Sequence, residues 1–102
     1  MSIWFVSRHA GAVEWARQQG LMVDHLVSHL DPEQVQPGDT VVGSLPVHLA
    51  AVVCDRGARY MHLEMDVPQA MRGRELSAEE MAACNARLNQ YNVEKEAGDA
   101  QQ

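Results

Sequence analysis

Long apolar runs are absent from this sequence, and cysteine, lysine and aromatic residues are few. No stretch approaches the roughly 18 apolar residues that a transmembrane helix requires, and the first residues lack the pattern of a signal peptide. We therefore expect no membrane partner and a cytoplasmic location. The two cysteines, Cys54 and Cys84, form neither a disulfide framework nor a CxxC metal motif. We interpret both as buried, reduced thiols.

The charge balance is acidic, with a formal net charge of -6. Proteins bind duplex DNA through a broad basic surface, so the acidic net charge argues against duplex DNA as a partner. The acidic net charge does not exclude a small anion bound in a local pocket. The cations are almost all arginine, with Lys95 the single lysine. Arginine presents a planar fork that suits phosphate, although a GC-rich genome would produce the same bias.

The length of 102 residues and the 46% hydrophobic content are typical of one globular domain. We place this domain at residues 1–93. From residue 94 the composition is polar, and we predict a disordered tail over residues 94–102.

Strand and helix patterns alternate along the domain. Strands are predicted in residues 3–6, 24–30, 39–46 and 60–67, which are rich in β-branched or alternating apolar residues. Helices are predicted in residues 11–19, 46–56 and 77–91. The last helix begins with a Ser77–Glu80 capping box, and its apolar stripe is predicted to run through Met81, Cys84, Leu88 and Tyr91.

The resulting order, βαββαβα, indicates an α/β fold. Strand-helix-strand units imply mainly parallel pairing with right-handed crossovers. We expect a compact Rossmann-like sandwich of four mainly parallel strands and three helices, with strand order 2-1-3-4. An antiparallel second strand is the alternative. The fourth strand alternates apolar and polar residues, which is typical of an edge strand with one wet face.

Three polar clusters follow the predicted strands. Ser7, Arg8 and His9 come after the first strand, and Ser44, Leu45 and Pro46 come between the third strand and a helix start. Arg72 and Arg74 follow the fourth strand. Ligands of parallel sheets collect at the carboxyl ends of the strands, and helix N-termini favour anions. Together the clusters predict a phosphate-type site, although no single cluster is a specific motif.

Structural roles would explain the same residues. Arg8 could pair with Glu14 or Asp39, and the two arginines of the 72–74 segment could pair with Glu75 on the surface. Ser44 could be a helix cap. His9 could be a histidine that only holds the end of its strand. His25 and His29 are too far apart on a strand to share a metal ion, and no metal site is predicted.

Three segments resemble a known family. They are WFVSRHAGAVEW (residues 4–15), GDTVVGSLPVHLA (residues 38–50) and RGRELS (residues 72–77). In this order and spacing they resemble the Csx-sixteen family, small CRISPR-associated accessory proteins of type III systems. The resemblance extends from about Trp4 to Tyr91 and implies a CARF-like version of the sandwich.

The resemblance also implies an activity. Members of that family are thought to be ring nucleases that cut cyclic oligoadenylate messengers, with cyclic tetra-adenylate the expected substrate. The implied reaction is a metal-independent transesterification, in which a ribose 2′-hydroxyl attacks the adjacent phosphorus and leaves a 2′,3′-cyclic phosphate. No cofactor is expected. A non-catalytic sensor or sponge for the same messenger is the alternative.

The expected roles follow from this chemistry. His9 would be the general acid or base, and Arg8 and Ser7 would complete the catalytic set. Arg72, Arg74, Ser44, Leu45 and Pro46 would bind the substrate. A cyclic tetranucleotide has approximate two-fold symmetry, so we expect a homodimer with the ligand across its two-fold axis.

Overall fold

The computed structural model describes residues 1–96 as a compact α/β fold built on one five-stranded mixed sheet. The strands are β1 (Ile3–Val6), β2 (His25–Val27), β3 (Thr40–Gly43), β4 (Arg59–Glu64) and β5 (Arg87–Tyr91). Their order in the sheet is β2-β1-β3-β4-β5. The first four strands pair in parallel, and β5 pairs antiparallel with β4. The predicted order 2-1-3-4 and the mainly parallel pairing are therefore confirmed, and the alternative of an antiparallel second strand is wrong.

Three α-helices cover the sheet: α1 (Ala10–Gln18), α2 (Val47–Asp55) and α3 (Ala78–Ala83). Two short 3₁₀ turns, Pro32–Gln34 and Gln69–Met71, lie in the connections. Helices α1 and α3 pack on one face of the sheet, where Phe5, Val42 and Leu63 meet Trp15 and Met81. Helix α2 packs on the other face.

The second face has its own buried cluster, in which Trp4, Val41 and Tyr60 pack against Val53 of α2 and Val35. Successive residues of a strand point to opposite faces, so Trp4 and Phe5, or Val41 and Val42, supply one residue to each cluster. Strands buried on both faces read as continuous apolar runs. This explains why β1 and β3 were recognisable in the sequence.

The predicted four-strand count is wrong because the last predicted helix breaks early. Helix α3 begins at the capping box of Ser77 and Glu80, as expected, but ends at Ala83. Asn85 then takes a left-handed backbone conformation, with φ of 61°, which terminates the helix. The chain continues as β5, so the predicted helical stripe through Leu88 and Tyr91 does not form.

The fourth strand is consequently not an edge strand, because β5 covers its free side. Its predicted wet face is also partly dry, since Tyr60 is 3% exposed. The second strand is shorter than predicted and covers only His25–Val27. His25 stacks on Trp4, with ring centroids 4.1 Å apart.

The amino ends of the strands are tied together by one buried carboxylate. Asp39, which is 4% exposed, accepts hydrogen bonds from the backbone N–H of Ser2 at 2.8 Å and of Gln36 at 2.9 Å. It also accepts one from Trp4 Nε1 at 3.1 Å. Burial alone would raise the pKa of Asp39, but these donors and the positive N-terminus outweigh it and lower the pKa.

In residues 1–96 no helix is long and apolar enough to cross a membrane. Of the predicted tail at residues 94–102, residues 97–102 lie outside the described part of the chain.

Candidate functional site

One cleft of about 780 Å³ opens at the carboxyl ends of the parallel strands. All the residues that the sequence assigned to catalysis or substrate binding line this cleft: Ser7, Arg8, His9, Ser44, Leu45, Pro46, Arg72 and Arg74. They come from three distant parts of the chain. The topology brings them together, because β1 and β3 are neighbours and the chain leaves them in opposite directions, towards β2 and β4. Such a switch point forms a crevice at the carboxyl edge of a sheet.

The first wall of the cleft is the turn from β1 into α1. The Ser7 N–H still pairs with the Val27 carbonyl at 2.9 Å, while the Ser7 hydroxyl accepts a hydrogen bond from the His9 N–H at 3.1 Å. The turn therefore directs the chain into the helix at His9, which is its N-cap residue. Arg8 lies between them and is exposed.

The Arg8 guanidinium makes no hydrogen bond or ion pair with any of residues 1–96. The interpretation of Arg8 as a partner of Glu14 or Asp39 is wrong. Glu14 pairs with Arg17, and Asp39 is occupied at the opposite end of the sheet. Arg8 is thus a cation beside a helix N-terminus, with its fork unoccupied by other side chains of the described residues.

His9 has a partner that the sequence did not suggest. Its Nδ1 lies 2.9 Å from Glu75 Oε1, in a pair whose side chains are 59% and 70% exposed. An ion pair that exposed contributes little to stability. Its chemical effect is orientation: with Nδ1 donating to the carboxylate, Nε2 is the nitrogen that can take up or release a proton. Glu75 is therefore a candidate positioning residue for His9.

The second wall follows β3. Ser44 donates its hydroxyl hydrogen bond to the Leu63 carbonyl at 2.9 Å, and the N-cap residue of α2 is Pro46. The interpretation of Ser44 as a helix cap is therefore wrong; it joins the end of β3 to β4 and presents its oxygen to the cleft. The Leu45 N–H donates a hydrogen bond to the Tyr60 hydroxyl at 2.9 Å. The first N–H groups of α2 have no acceptor within the helix.

The third wall is the loop after β4, and its two arginines differ. Arg74 pairs with Glu80 at 2.7 Å, whereas within residues 1–96 Arg72 donates only to the Val67 carbonyl at 3.3 Å. Neither pairs with Glu75, so that interpretation is wrong. Arg72 keeps most of its guanidinium donors available, while Arg74 would share its charge between Glu80 and a ligand.

A close backbone approach holds this loop against α1. A Cβ atom added at Gly11 would lie 1.9 Å from the Leu76 carbonyl oxygen and 3.2 Å from Ser77 Cα. No side chain fits there, so only glycine allows the first turn of α1 to contact the loop this closely. The contact fixes the distance between Arg8 and His9 on one side and Arg72 to Glu75 on the other.

The cleft combines several features that favour a bound anion. The N-termini of α1 and α2 both open towards it, and helix N-termini carry partial positive charge. Arg8 and Arg72 add full charges. Among residues 1–96 no group of three histidine, cysteine or acidic side chains is placed to hold a metal ion.

Sequence reasoning did not assign some residues of the cleft. Ser28 and His29 line it just beyond β2, and Met65 and Met71 form part of its apolar surface. The position of Ser28 and His29 after a parallel strand is the same signal that identified Ser7 and Ser44. Glu75 carried no such signal, because its contact with His9 spans 66 positions.

The fold and the cleft define an α/β protein whose mostly parallel sheet opens into a cleft at its carboxyl edge, with features that favour a bound anion. Residues 4–94 match the model of a family described as "Putative CRISPR-associated protein (Cas_VVA1548)". The chain belongs to this family of CRISPR-associated proteins. Searches of curated proteins and of solved structures found no match.

Proposed function

We propose that this protein is a metal-independent ring nuclease for cyclic oligoadenylate, with cyclic tetra-adenylate as its substrate, in type III CRISPR defence. The observation that carries the proposal is the convergence in one cleft of a histidine, an arginine without a partner among residues 1–96 and two helix N-termini. Membership of a CRISPR-associated family supports the biological setting. The finer description of the fold as Rossmann-like and CARF-like belongs to the same proposal.

The proposed reaction requires little from the protein beyond the groups that line the cleft. The nucleophile is the ribose 2′-hydroxyl of the substrate, which attacks the adjacent phosphorus in line. The phosphorus–O5′ bond breaks, and the products are a 2′,3′-cyclic phosphate and a 5′-hydroxyl. Because nucleophile and electrophile are in one molecule, orientation and charge stabilisation supply much of the acceleration.

Each residue has a defined part in this scheme. His9, oriented by Glu75 through Nδ1, exchanges a proton through Nε2, either removing it from the 2′-hydroxyl or delivering it to the leaving O5′. Arg8 and Arg72 stabilise the charge that develops on the phosphoryl oxygens. Ser7, Ser44 and the N–H groups that follow Pro46 orient the phosphodiester. Arg74 makes a weaker contact, because Glu80 already holds it.

The proposed assembly is a homodimer that binds the ring across a two-fold axis. The cleft is open and its charged side chains are exposed, so a single chain leaves much of a tetranucleotide in water. A second copy placed symmetrically would cover the other half of a two-fold ligand.

The test is incubation of the purified protein with cyclic tetra-adenylate in excess EDTA, followed by separation of the products. We expect linear oligoadenylate ending in a 2′,3′-cyclic phosphate, at a rate that EDTA does not change. An intact ring after long incubation would contradict the nuclease proposal. If the intact ring is then recovered bound to the protein, the protein is a sensor or sponge instead.

The role of His9 has a separate test. We expect His9→Ala to cut more slowly by roughly a hundredfold, which is typical for loss of a general acid or base, with unchanged binding of the ring. His29→Ala is the matched control, because His29 also lines the cleft but has no assigned part. Equal rates for wild type and His9→Ala would remove His9 from the mechanism and leave the enzyme proposal standing.

A further inference from the structure

A second cavity, of about 610 Å³, lies on the α2 face of the sheet between α2, β4 and β5. We call it the α2–β5 cavity. Its polar and aromatic lining consists of Tyr60, His62, Glu64, Arg87 and Tyr91. Its apolar lining includes Leu45, Leu63 and Met65, which also line the carboxyl-edge cleft. The two cavities therefore adjoin along shared walls.

His62 offers a hydrogen-bond acceptor to this cavity. The Tyr60 hydroxyl donates to the Gly43 carbonyl at 3.2 Å and accepts from the Leu45 N–H. Because its one proton is then used, His62 Nδ1 donates to the same hydroxyl at 2.6 Å. In the neutral ring Nε2 then carries no hydrogen, and it has no hydrogen-bond partner among residues 1–96.

Glu64 offers a second acceptor. Its carboxylate accepts hydrogen bonds from the Tyr91 hydroxyl and, at 3.3 Å, from Arg87, and a carboxylate has about four lone-pair sites. The Tyr91 hydroxyl lowers the pKa of Glu64, so the group is ionised at neutral pH. Its remaining lone pairs can accept from a ligand.

Tyr91 offers an aromatic surface. Its side chain is 45% exposed although it lines a cavity. Its ring meets His62 edge-on, with centroids 5.8 Å apart and planes at 85°. In this arrangement His62 covers at most one face of the Tyr91 ring, so His62 leaves the other face open for stacking. Val47, which is 71% exposed, adds apolar surface beside it.

We propose that the α2–β5 cavity binds an adenine base of the cyclic oligoadenylate whose phosphates occupy the carboxyl-edge cleft; this inference rests on the proposed function. Adenine presents an amine with two hydrogens at N6. Glu64 accepts from one N6–H, His62 Nε2 accepts from the other, and Tyr91 stacks on the ring. Guanine has an acceptor, O6, where adenine has its amine, and would face both acceptors unfavourably.

The cavity differs from the cleft in having no cation to spare for phosphate. Arg87 is the cation of its lining and is engaged with Glu64 at 3.3 Å and with Asp66 at 3.5 Å. The balance of charge therefore favours a neutral base here and places the phosphates with Arg8 and Arg72. With the base in the cavity and the phosphates in the cleft, one protomer recognises both the backbone and the base of a single nucleotide.

The first experiment uses adenosine, which has no phosphate, so that binding does not depend on the cleft or on cleavage. Adenosine is titrated into the full-length protein to millimolar concentration while the ring signals of His62 and Tyr91 are followed by NMR. We expect saturable shifts of both rings with adenosine and much smaller shifts with guanosine. Absence of shifts at these two residues, or equal shifts with both nucleosides, would overturn the proposal.

The second experiment measures KM and kcat for cyclic tetra-adenylate in variants of Tyr91. Loss of one base-stacking contact weakens binding by roughly fivefold to a hundredfold, so we expect Tyr91→Leu to raise KM in that range. Tyr91→Phe keeps the stacking ring and should stay within about threefold of wild type. Leu26→Ser, an exposed change at the far edge of the sheet, should have no effect.

The two proposals fail in different ways. Ring cleavage with unchanged KM in Tyr91→Leu and no adenosine shifts would overturn the base site and leave the ring nuclease standing. Adenosine shifts at His62 and Tyr91 without binding or cleavage of the ring would support adenine recognition in the cavity, but would contradict both the proposed function and the cyclic oligoadenylate as the source of that adenine.

Discussion

At the amino end of the sheet, the Asp39 carboxylate is buried and accepts three hydrogen bonds, whereas at the carboxyl end the Arg8 side chain is exposed and has no partner among residues 1–96. Both residues lie next to the central strands β1 and β3. A buried charge is stable only when its hydrogen bonds are satisfied. An exposed charge without internal contacts adds little to folding.

The difference assigns separate tasks to the two ends of one sheet. The amino end holds the strands together through internal contacts, and in the proposed function the carboxyl end offers its donors to the ligand. Substitutions at the amino end should therefore change stability, while substitutions at the carboxyl end should change activity with little change in stability.

The largest effect on stability is expected for Asp39→Ala. It leaves the Trp4 Nε1–H and the Gln36 N–H without acceptors, and each orphaned buried donor costs about 1–3 kcal/mol. We expect a loss of roughly 3 kcal/mol in the free energy of unfolding and a fall in Tm of more than about 10 °C, measured by thermal and denaturant unfolding.

Asp24→Ala is the matched control for this change. Asp24 also accepts a backbone hydrogen bond at the amino end, from the Ile3 N–H at 2.8 Å, but it is exposed. Its loss should cost under about 1 kcal/mol, since water replaces the acceptor. Equal losses for the two variants would contradict the account of the amino end.

The next effect is expected for Gly11→Ala, and its sign is informative. Helix propensity alone predicts that alanine stabilises a helical position by about 1 kcal/mol over glycine. The Leu76 carbonyl, 1.9 Å from the new Cβ, predicts instead a loss of about 1–3 kcal/mol from overpacking. We expect destabilisation and reduced activity in urea unfolding and cleavage assays. A more stable variant would show that the contact between α1 and the 72–76 loop does not form.

A smaller effect on activity is expected for Glu75→Gln. The exposed pair with His9 should contribute under about 1 kcal/mol to folding, so Tm should stay constant. Loss of the orienting carboxylate should lower kcat by roughly threefold to tenfold with little change in KM, because His9 would no longer be held in its productive orientation. A kcat equal to that of wild type would exclude a positioning role for Glu75.

The smallest expected effect is the part of the pH dependence of the free energy of unfolding that is due to Asp39. The pKa of Asp39 is lowered in the folded state. Ionised Asp39 therefore contributes its full stabilisation to the free energy of unfolding above the unfolded pKa, near 4. This stabilisation is lost as pH falls through the folded pKa. We expect Asp39→Asn to flatten the decline in the free energy of unfolding below about pH 4. An unchanged slope would indicate that other carboxylates account for the whole decline.

The sequence allowed the prediction of β1, β3 and the three clusters of the cleft because continuous apolar runs and the polar residues after them are local signals. The fifth strand was not predicted, because Met81, Cys84 and Leu88 have helical spacing and the helix stops at Asn85 by taking a positive φ. Nothing in the local pattern reveals that β4 needs a covering strand.

The pairing of the charged residues was not predictable either. His9 with Glu75 and Arg74 with Glu80 depend on how the 72–76 loop lies against α1 and α3, and that is decided by the backbone contact at Gly11. The availability of Arg8 was likewise not predictable, since the two acids considered as its partners pair elsewhere in the fold, Glu14 with Arg17 and Asp39 with Trp4.

The most direct test of the division between the two ends is the cleavage of cyclic tetra-adenylate by Arg8→Ala, measured in EDTA beside its thermal unfolding. Removal of a cation that stabilises charge in the transition state costs about 10²–10³ in kcat/KM. The account predicts a loss of this size with a Tm within about 2 °C of wild type. Wild-type cleavage by Arg8→Ala, or a loss of activity matched by a large fall in Tm, would contradict it.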